Sequence, residues 1–370
     1  MDRQDLAPRF PQVGDGTGIS HQDLFYREEI QLALRNRGMP LEGLQYDITP
    51  TGMHYLLMHF DIPKIDPQDW RLQVGGLVSK PLDLKLDDIK RRPSHTLVVT
   101  MECAGNGRAL LTPRPVKQPW LVEAVSTASW TGVPLRQILE ETQLSDKAIE
   151  IVFTGLDRGV QGEVIQNYQR SLTIEEAMRK EVILAYQMNG EELQPQHGYP
   201  LRLIVPGWYG MTSVKWLHSI EAVSQPFVGY QMVEAYRYTQ SADDPGEPVS
   251  LMKVRALMVP PGIPDFVTRV RLVEAGDVTL TGRAWAGRQP VSRVEVSVDN
   301  GMTWQKAQLN RPVSPYAWSS WTYRWQASPD RYTLSVRAWD SEGNVQPTEQ
   351  PWNYQGMGNN LVQSVSVIVE

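Results

Sequence analysis

Short apolar runs bounded by Pro, Asp and Gly dominate the first two thirds of the chain, with a few helical periods between them. Leu24, Phe25, Ile30, Leu32 and Leu34 fall at loose helical spacing and predict a helix over residues 22–37 that Gly38 stops. Residues 54–60 and 72–78 read as strands. The β-branched run 96–101 predicts a further strand that leads into the glycine-rich segment 102–108, so Cys103 falls where a strand enters a tight loop. Leu135, Ile138 and Leu139 mark one face of a helix after Pro134, and Ile174 and Met178 mark another over 173–180. Strands are predicted at 149–153, 182–188 and 201–205, with Asn189-Gly190 as a turn signal between the last two. Helices and strands mix without a regular alternation, which makes this part α+β.

The polar, breaker-rich stretch 240–248 reads as a linker and divides the chain into domains 1–245 and 246–370. Beyond it the pattern is all-β. Strands are expected at 278–284, 291–298, 321–325 and 332–339, with a hairpin turn at Asp299-Asn300-Gly301. An immunoglobulin-type sandwich fits this spacing, although its usual cysteine pair is absent.

Composition narrows the function classes. With 41% hydrophobic residues, 12 Trp and 14 Tyr, the 370 residues form a globular protein and not a disordered chain. Acidic residues outnumber basic ones 42 to 36, which argues against a broad surface for nucleic acid or anionic lipid, so any bound anion must be caught locally. The single cysteine excludes internal disulfides and four-cysteine metal sites. No run approaches the roughly 18 apolar residues of a membrane span, and residues 1–20 lack an apolar signal core. The expectation is a cytoplasmic protein, or a periplasmic one if a signal was removed ahead of the numbering; the segment up to Ser20 is expected to wrap the surface or fray.

The most informative segment is Glu102-Cys103-Ala104-Gly105-Asn106-Gly107-Arg108. A cysteine at the mouth of a loop of small residues can be approached closely, and exposed backbone N–H groups with a nearby arginine favour thiolate, which suits a soft metal. A buried free cysteine beside an ordinary turn reads equally from the residues alone. A Cys–His nucleophile is a further reading, but nothing in the spacing selects one of the six histidines.

The segment Cys103 to Arg108 resembles the signature of the sulfite oxidase family of molybdenum enzymes. Trp120, Ser126-Thr127-Ala128-Ser129-Trp130-Thr131-Gly132, Leu184-Ala185-Tyr186-Gln187-Met188-Asn189-Gly190, His197-Gly198-Tyr199-Pro200-Leu201-Arg202 and Ser213-Val214-Lys215-Trp216 resemble further family blocks in the same order. The resemblance spans residues 49–356 and implies a molybdopterin-binding α+β domain followed by an immunoglobulin-like dimerisation domain. It implies that Cys103 ligates molybdenum and that Arg108, Tyr236 and Trp120 line the substrate site. It also implies that Tyr55, His59, Asp157, His197, Arg202, Ser213, Val214 and Lys215 hold the molybdopterin. A phosphate dianion suits the fork of Arg202 and the point charge of Lys215.

The implied activity is oxidation of sulfite to sulfate in a homodimer. With no haem motif and no flavin or cytochrome domain in these residues, electrons are expected to pass to an external acceptor, a cytochrome or another carrier. Two positions depart from the family: Leu57 stands in Leu57-Met58-His59 where an arginine is common, and Gln355 precedes Gly356 where another is. Arg35, Arg37 or a different basic residue is expected to refill the pocket. The missing arginines also suit a rival activity, the molybdenum subunit of a sulfur-oxidation complex acting on protein-bound sulfane. A non-catalytic binding scaffold is the alternative from another class.

Overall fold

The computed structural model describes residues 25–370. The expectations for residues 1–20 and for Leu24 lie outside them. Two sheets build the first part of the molecule. One runs in the order Leu82–Leu84, Leu72–Gly76, Leu217–Val223, Glu150–Gln161, Val164–Thr173. The other pairs His95–Glu102 with Val125–Pro134, and that strand with Ile183–Met188, which Arg202–Ile204 also joins. Val125–Pro134 is nearly wholly buried, with Trp130 at its centre fully enclosed.

Beyond residue 248, sheets of four strands and six strands face each other over a core that includes Val294, Trp321, Leu334 and Val367. This is the expected sandwich on a mixed α+β base. The stretch 240–248 is bridged by a short ribbon, Arg237–Tyr238 against Glu247–Pro248, and Asp244 caps the turn by accepting from Gln240 N at 2.6 Å. Asn300 and Gly301 take the left-handed backbone of the expected turn, at φ 57° and 83°. Among the described residues no helix is long and apolar enough to cross a membrane.

Several local readings need correction. Residues 54–60 form no strand: a 3-10 turn at Thr51–Met53 leads into an extended segment that pairs in β fashion through a single bridge, Leu56 with Arg37, among the described residues. Tyr55 and His59 therefore share an irregular wall and not a strand. Its apolar side chains face a cavity, which is why the sequence mimics strand grammar there. The first helix is shorter than expected, Arg27–Arg35, and its face is inverted: Glu29 is buried against Arg114, while Ile30 and Leu34 are exposed. The helix after Thr173 is a single turn, Ile174–Ala177, capped by the Thr173 hydroxyl accepting from Glu176 N. The strand at 149–153 extends to Gln161 and forms a hairpin with Val164–Thr173, which the pattern did not announce.

The two parts meet at the Cys103 loop. Glu102, at the end of its strand, accepts from Arg255 at 2.8 Å, from the Trp285 indole at 2.9 Å and from Asn106 at 2.9 Å. Gly358 N donates to Ala104 O at 2.6 Å, and the Asn359 amide donates to Gly107 O at 2.8 Å. Several polar groups of the loop are therefore held by the sandwich and the C-terminal segment.

Candidate functional site

Cys103 is buried on the wall of a cavity. The same wall carries Tyr55, His59, Asp157, His197, Arg202, Ser213, Val214, Lys215 and Tyr236. Residues as far apart in sequence as Tyr55 and Tyr236, 181 positions, meet on this wall. Arg108 and Trp120 do not line the cavity. Both lie behind Cys103, where the Arg108 charge and the Trp120 indole oppose the rise that burial imposes on the thiol's pKa. The Trp120 N–H has no hydrogen-bond partner in the structure, so its effect on the sulfur is one of proximity and not of a formed bond.

Arg108 turns back over its own loop. A Cβ on Gly105 would come within 2.5 Å of the guanidinium, so only glycine allows that fold. The guanidinium donates to Gln118 O and Gln355 O, both at 3.1 Å, and touches Met357 Sδ at 3.4 Å. Arg202 is held by His197 O at 2.9 Å and Ser213 O at 3.2 Å, with its carbon centre 4.7 Å from the Trp130 ring. Gly198 lets the His197 loop lie against both Arg202 and Lys215, with a Cβ there meeting their side chains at 3.2 and 3.0 Å.

Arg170 was missed by sequence reasoning. It donates to Gln231 O and stands 5.7 Å from the Tyr236 ring. Arg108, Arg170 and Arg202 are only 5%, 2% and 4% exposed, yet their hydrogen-bond partners are carbonyls and sulfurs, and among the described residues none forms an ion pair with a carboxylate. Burying a cation without a counter-charge costs several kcal/mol. Lys215 donates to Leu57 O at 2.8 Å and Gln196 O at 3.1 Å, and Asp157 is the carboxylate that stabilises its charge. Of the three arginines only Arg202 lines the cavity, where with Lys215 it offers positive charge to an anionic group.

His54, also missed, donates from Nδ1 to Tyr55 O at 2.9 Å, which leaves Nε2 as a buried acceptor with no partner. It lines the cavity edge-on to His197, with ring centres 5.4 Å apart. Tyr236 has a left-handed backbone, φ 57°, a strain on the order of 1 kcal/mol that a non-glycine residue retains only where its surroundings enforce it. Its phenol is pushed up to about 12 by burial and by Cys103, so it is a hydrogen-bond donor at neutral pH.

Neither Arg35 nor Arg37 refills the site. Arg35 bonds Phe60 O at 3.1 Å and Asp61 at 3.0 Å, and Arg37 bonds Gly52 O at 2.5 Å; neither lines the cavity. Leu57 does line it, and Gln355 turns its amide to Glu234 O at 2.9 Å.

Burial lowers the His54 pKa to about 4. Below its ordinary value near 6.5 the unfolded chain takes up a proton at this residue that the folded one refuses, so stability falls as pH drops from 6.5 to about 4, by about 1.4 kcal/mol per pH unit. Urea unfolding of cofactor-free protein at pH 6.5 and 4.5 should show the wild type losing about 2 kcal/mol more than His54→Gln over that interval. Equal losses would contradict the neutral, buried imidazole.

Comparison with known proteins identifies related domains. Residues 59–231 match the family model of the oxidoreductase molybdopterin binding domain, and residues 249–370 that of the Mo-co oxidoreductase dimerisation domain. Mitochondrial sulfite oxidase of Mus musculus is 35% identical over 342 residues, covering 87% of this chain and 62% of that protein. Nitrate reductase (NADH) 1 of Nicotiana tabacum is 32% identical over 358 residues, covering 88% of this chain and 39% of its own. The crystal structure of the sulfane dehydrogenase SoxCD from Paracoccus pantotrophus shares the fold, with a TM-score of 0.78 at 24% identity over 98% of this chain and 95% of that one. The chain therefore spans about 62% of the length of the sulfite oxidase it matches.

Proposed function

The chain belongs to the sulfite oxidase family of molybdopterin-dependent oxidoreductases, and we propose that it oxidises sulfite to sulfate at the cavity beside Cys103. Sulfite and water give sulfate, two protons and two electrons, and the electrons leave singly to an external acceptor such as a cytochrome. The observation that carries this reading is Arg202, a buried cation without a carboxylate partner among the described residues, on one cavity wall with Lys215 and the buried thiol of Cys103. A scaffold without a ligand would gain nothing from that arrangement, which is costly when empty.

The residues fit the cofactor. Arg202 and the free donor capacity of Lys215 suit its phosphate, while His54 Nε2 is an unpartnered buried acceptor facing the space where a pterin's donors would lie. His59, Asp157, His197 and the Ser213-Val214-Lys215 turn would hold the rest, with Tyr55 closing the wall. Asp157, raised to about 6 by burial against the pull of Lys215, holds or gives up a proton near neutrality and so can serve either a donor or an acceptor edge. When bound, the molybdenum centre supplies the two-electron redox capacity. Cys103 would hold the metal as thiolate. Arg108 places positive charge behind it to attract the anion, Tyr236 donates from its hydroxyl to an oxygen of the substrate, and Trp120 closes the site against water. The dimerisation-domain match supports a homodimer.

Purified, molybdenum-loaded protein should reduce two equivalents of ferricyanide per sulfite consumed. Full metal loading without sulfite turnover would overturn the assignment. Leu57 and Gln355 put neutral groups where cations were expected, and this favours one second reading: a less anionic sulfane sulfur on a carrier protein. Turnover of a protein-bound sulfane, with none of free sulfite, would select it.

A further inference from the structure

A chain of amide side chains joins the hairpin of Glu150–Gln161 and Val164–Thr173 to His59 on the cavity wall, and the orientation of each member is set by the one before it. Gln166 Nε2 donates to the backbone O of Gln161 at 3.4 Å, an atom that can only accept, so the Gln166 Oε1 is turned to Gln231. Gln231, 1% exposed, answers with Nε2, which donates to Gln166 Oε1 at 3.1 Å and to Gln161 Oε1 at 2.9 Å. Both amide hydrogens of Gln231 are thereby used. Gln161 Oε1 then lies 2.6 Å from His59 Nε2, and an oxygen at that distance requires the proton on the nitrogen. The 3.4 Å approach of Gln231 Nε2 to the same nitrogen is a meeting of two donors and not a bond.

The arrangement is unfavourable at one atom. Gln231 Oε1 is buried with no partner. Turning that amide over would set its oxygen against those of Gln161 and Gln166, so the orphan follows from presenting an oxygen to His59. The backbone around the chain is held as well. Arg170 donates to Gln231 O, and Gly159 and Gly162 let the hairpin lie on the rings of Phe60 and Tyr230, the sequence neighbours of His59 and Gln231. Burial lowers the His59 pKa further than the Gln161 bond raises it, so the ring is neutral at neutral pH and carries one N–H. With that proton on Nε2, Nδ1 is a lone-pair acceptor, and among the described residues no hydrogen bond occupies it.

We infer that Gln161 and Gln231 are positioning residues which keep the His59 proton on Nε2, so that Nδ1 offers its lone pair to a donor group of the bound molybdopterin. This rests on the cofactor reading for what Nδ1 meets, though not for the tautomer itself. Neither glutamine lines the cavity; both act through His59, which does. A ring already held in the binding tautomer loses nothing to selecting it when the cofactor arrives.

Nitrogen-15 NMR of the loaded, histidine-labelled protein reads the tautomer, with the His59 signal assigned by its absence from His59→Gln. Pterin fluorescence after dilution reads the rate of cofactor release. The wild type should carry its proton on Nε2. Gln161→Met removes the accepting oxygen and should release pterin about fivefold faster, the size of one lost hydrogen bond. Gln161→Glu keeps an oxygen there and should hold the tautomer and, within twofold, the rate. Gln231→Glu reverses the chain: Gln161 must then offer its amide hydrogens, the His59 proton should move to Nδ1, and release should again quicken about fivefold. A wild-type ring protonated on Nδ1 would overturn the inference with the cofactor reading intact, and that spectrum needs no variant to fold. Release within twofold of wild type in both Gln161→Met and Gln231→Glu would overturn it too. Equal acceleration in Gln161→Met and Gln161→Glu would show packing and contradict a role for the oxygen. Wild type purified without pterin from cells that make it would overturn the cofactor reading and the role of Nδ1 together.

Discussion

Cys103→Ser should lower sulfite turnover by about a thousandfold or more, equivalent to roughly 4 kcal/mol of barrier, while the protein stays folded. The substitution keeps the size of the side chain in its buried position and removes the polarisable sulfur. In the cavity without metal, burial favours the protonated thiol, and Arg108, the Gly105 N–H and Trp120 oppose it. A metal that displaces the proton is held by a thiolate already faced by positive charge. Serine offers a hydroxyl whose proton is far harder to displace, so the same surroundings no longer yield an anionic ligand. Steady-state kinetics with ferricyanide checks the loss, and thermal unfolding checks that Tm moves by only a few degrees. Turnover within tenfold of wild type would show that the sulfur is not part of the reacting centre.

The second large effect falls on cofactor retention. Arg202→Met and Lys215→Met should each leave less than about a tenth of the wild-type pterin in purified protein, because removing one member of a buried charge pair costs roughly 3–5 kcal/mol. The two variants differ structurally. Arg202 braces His197 O and Ser213 O from a buried position, whereas Lys215 bonds two loop carbonyls, Leu57 O and Gln196 O, from a less enclosed one. Loss in both points to a shared anion and not to damage at one loop. Pterin fluorescence after extraction measures it, and wild-type content in both variants would contradict the assignment.

Much of this architecture was legible in the residue pattern where a strand has one buried face or a helix has one apolar stripe. Leu135–Thr142 and Ser319–Ala327 are of this kind. The pattern failed where function replaced packing. Tyr55, Leu56 and Leu57 form an apolar run because they wall a cavity, not because they join a sheet. Val164–Thr173 was obscured because its inward positions include Arg170, whose burial breaks the expected alternation. The first helix misled because its enclosed position is an acid paired with Arg114.

The site divides in the same way. Cys103 and the basic residues of the later motifs could be picked out by their local sequence. What holds Arg108 could not, since Gln355 O and Met357 Sδ come from 247 and 249 residues away. Nor does local sequence announce that Arg255 and Trp285 of the sandwich fix Glu102, the residue before the cysteine. His54 and Arg170 carry no motif, and only their unpartnered atoms or charges in the folded chain mark them.

X-ray absorption at the molybdenum edge, recorded on the purified wild type and on Cys103→Ser, addresses the bond on which the account depends. The prediction is a molybdenum signal whose sulfur neighbours fall by one in the serine variant. An unchanged sulfur shell, or wild-type protein that carries no molybdenum when produced in cells that make the cofactor, would contradict it.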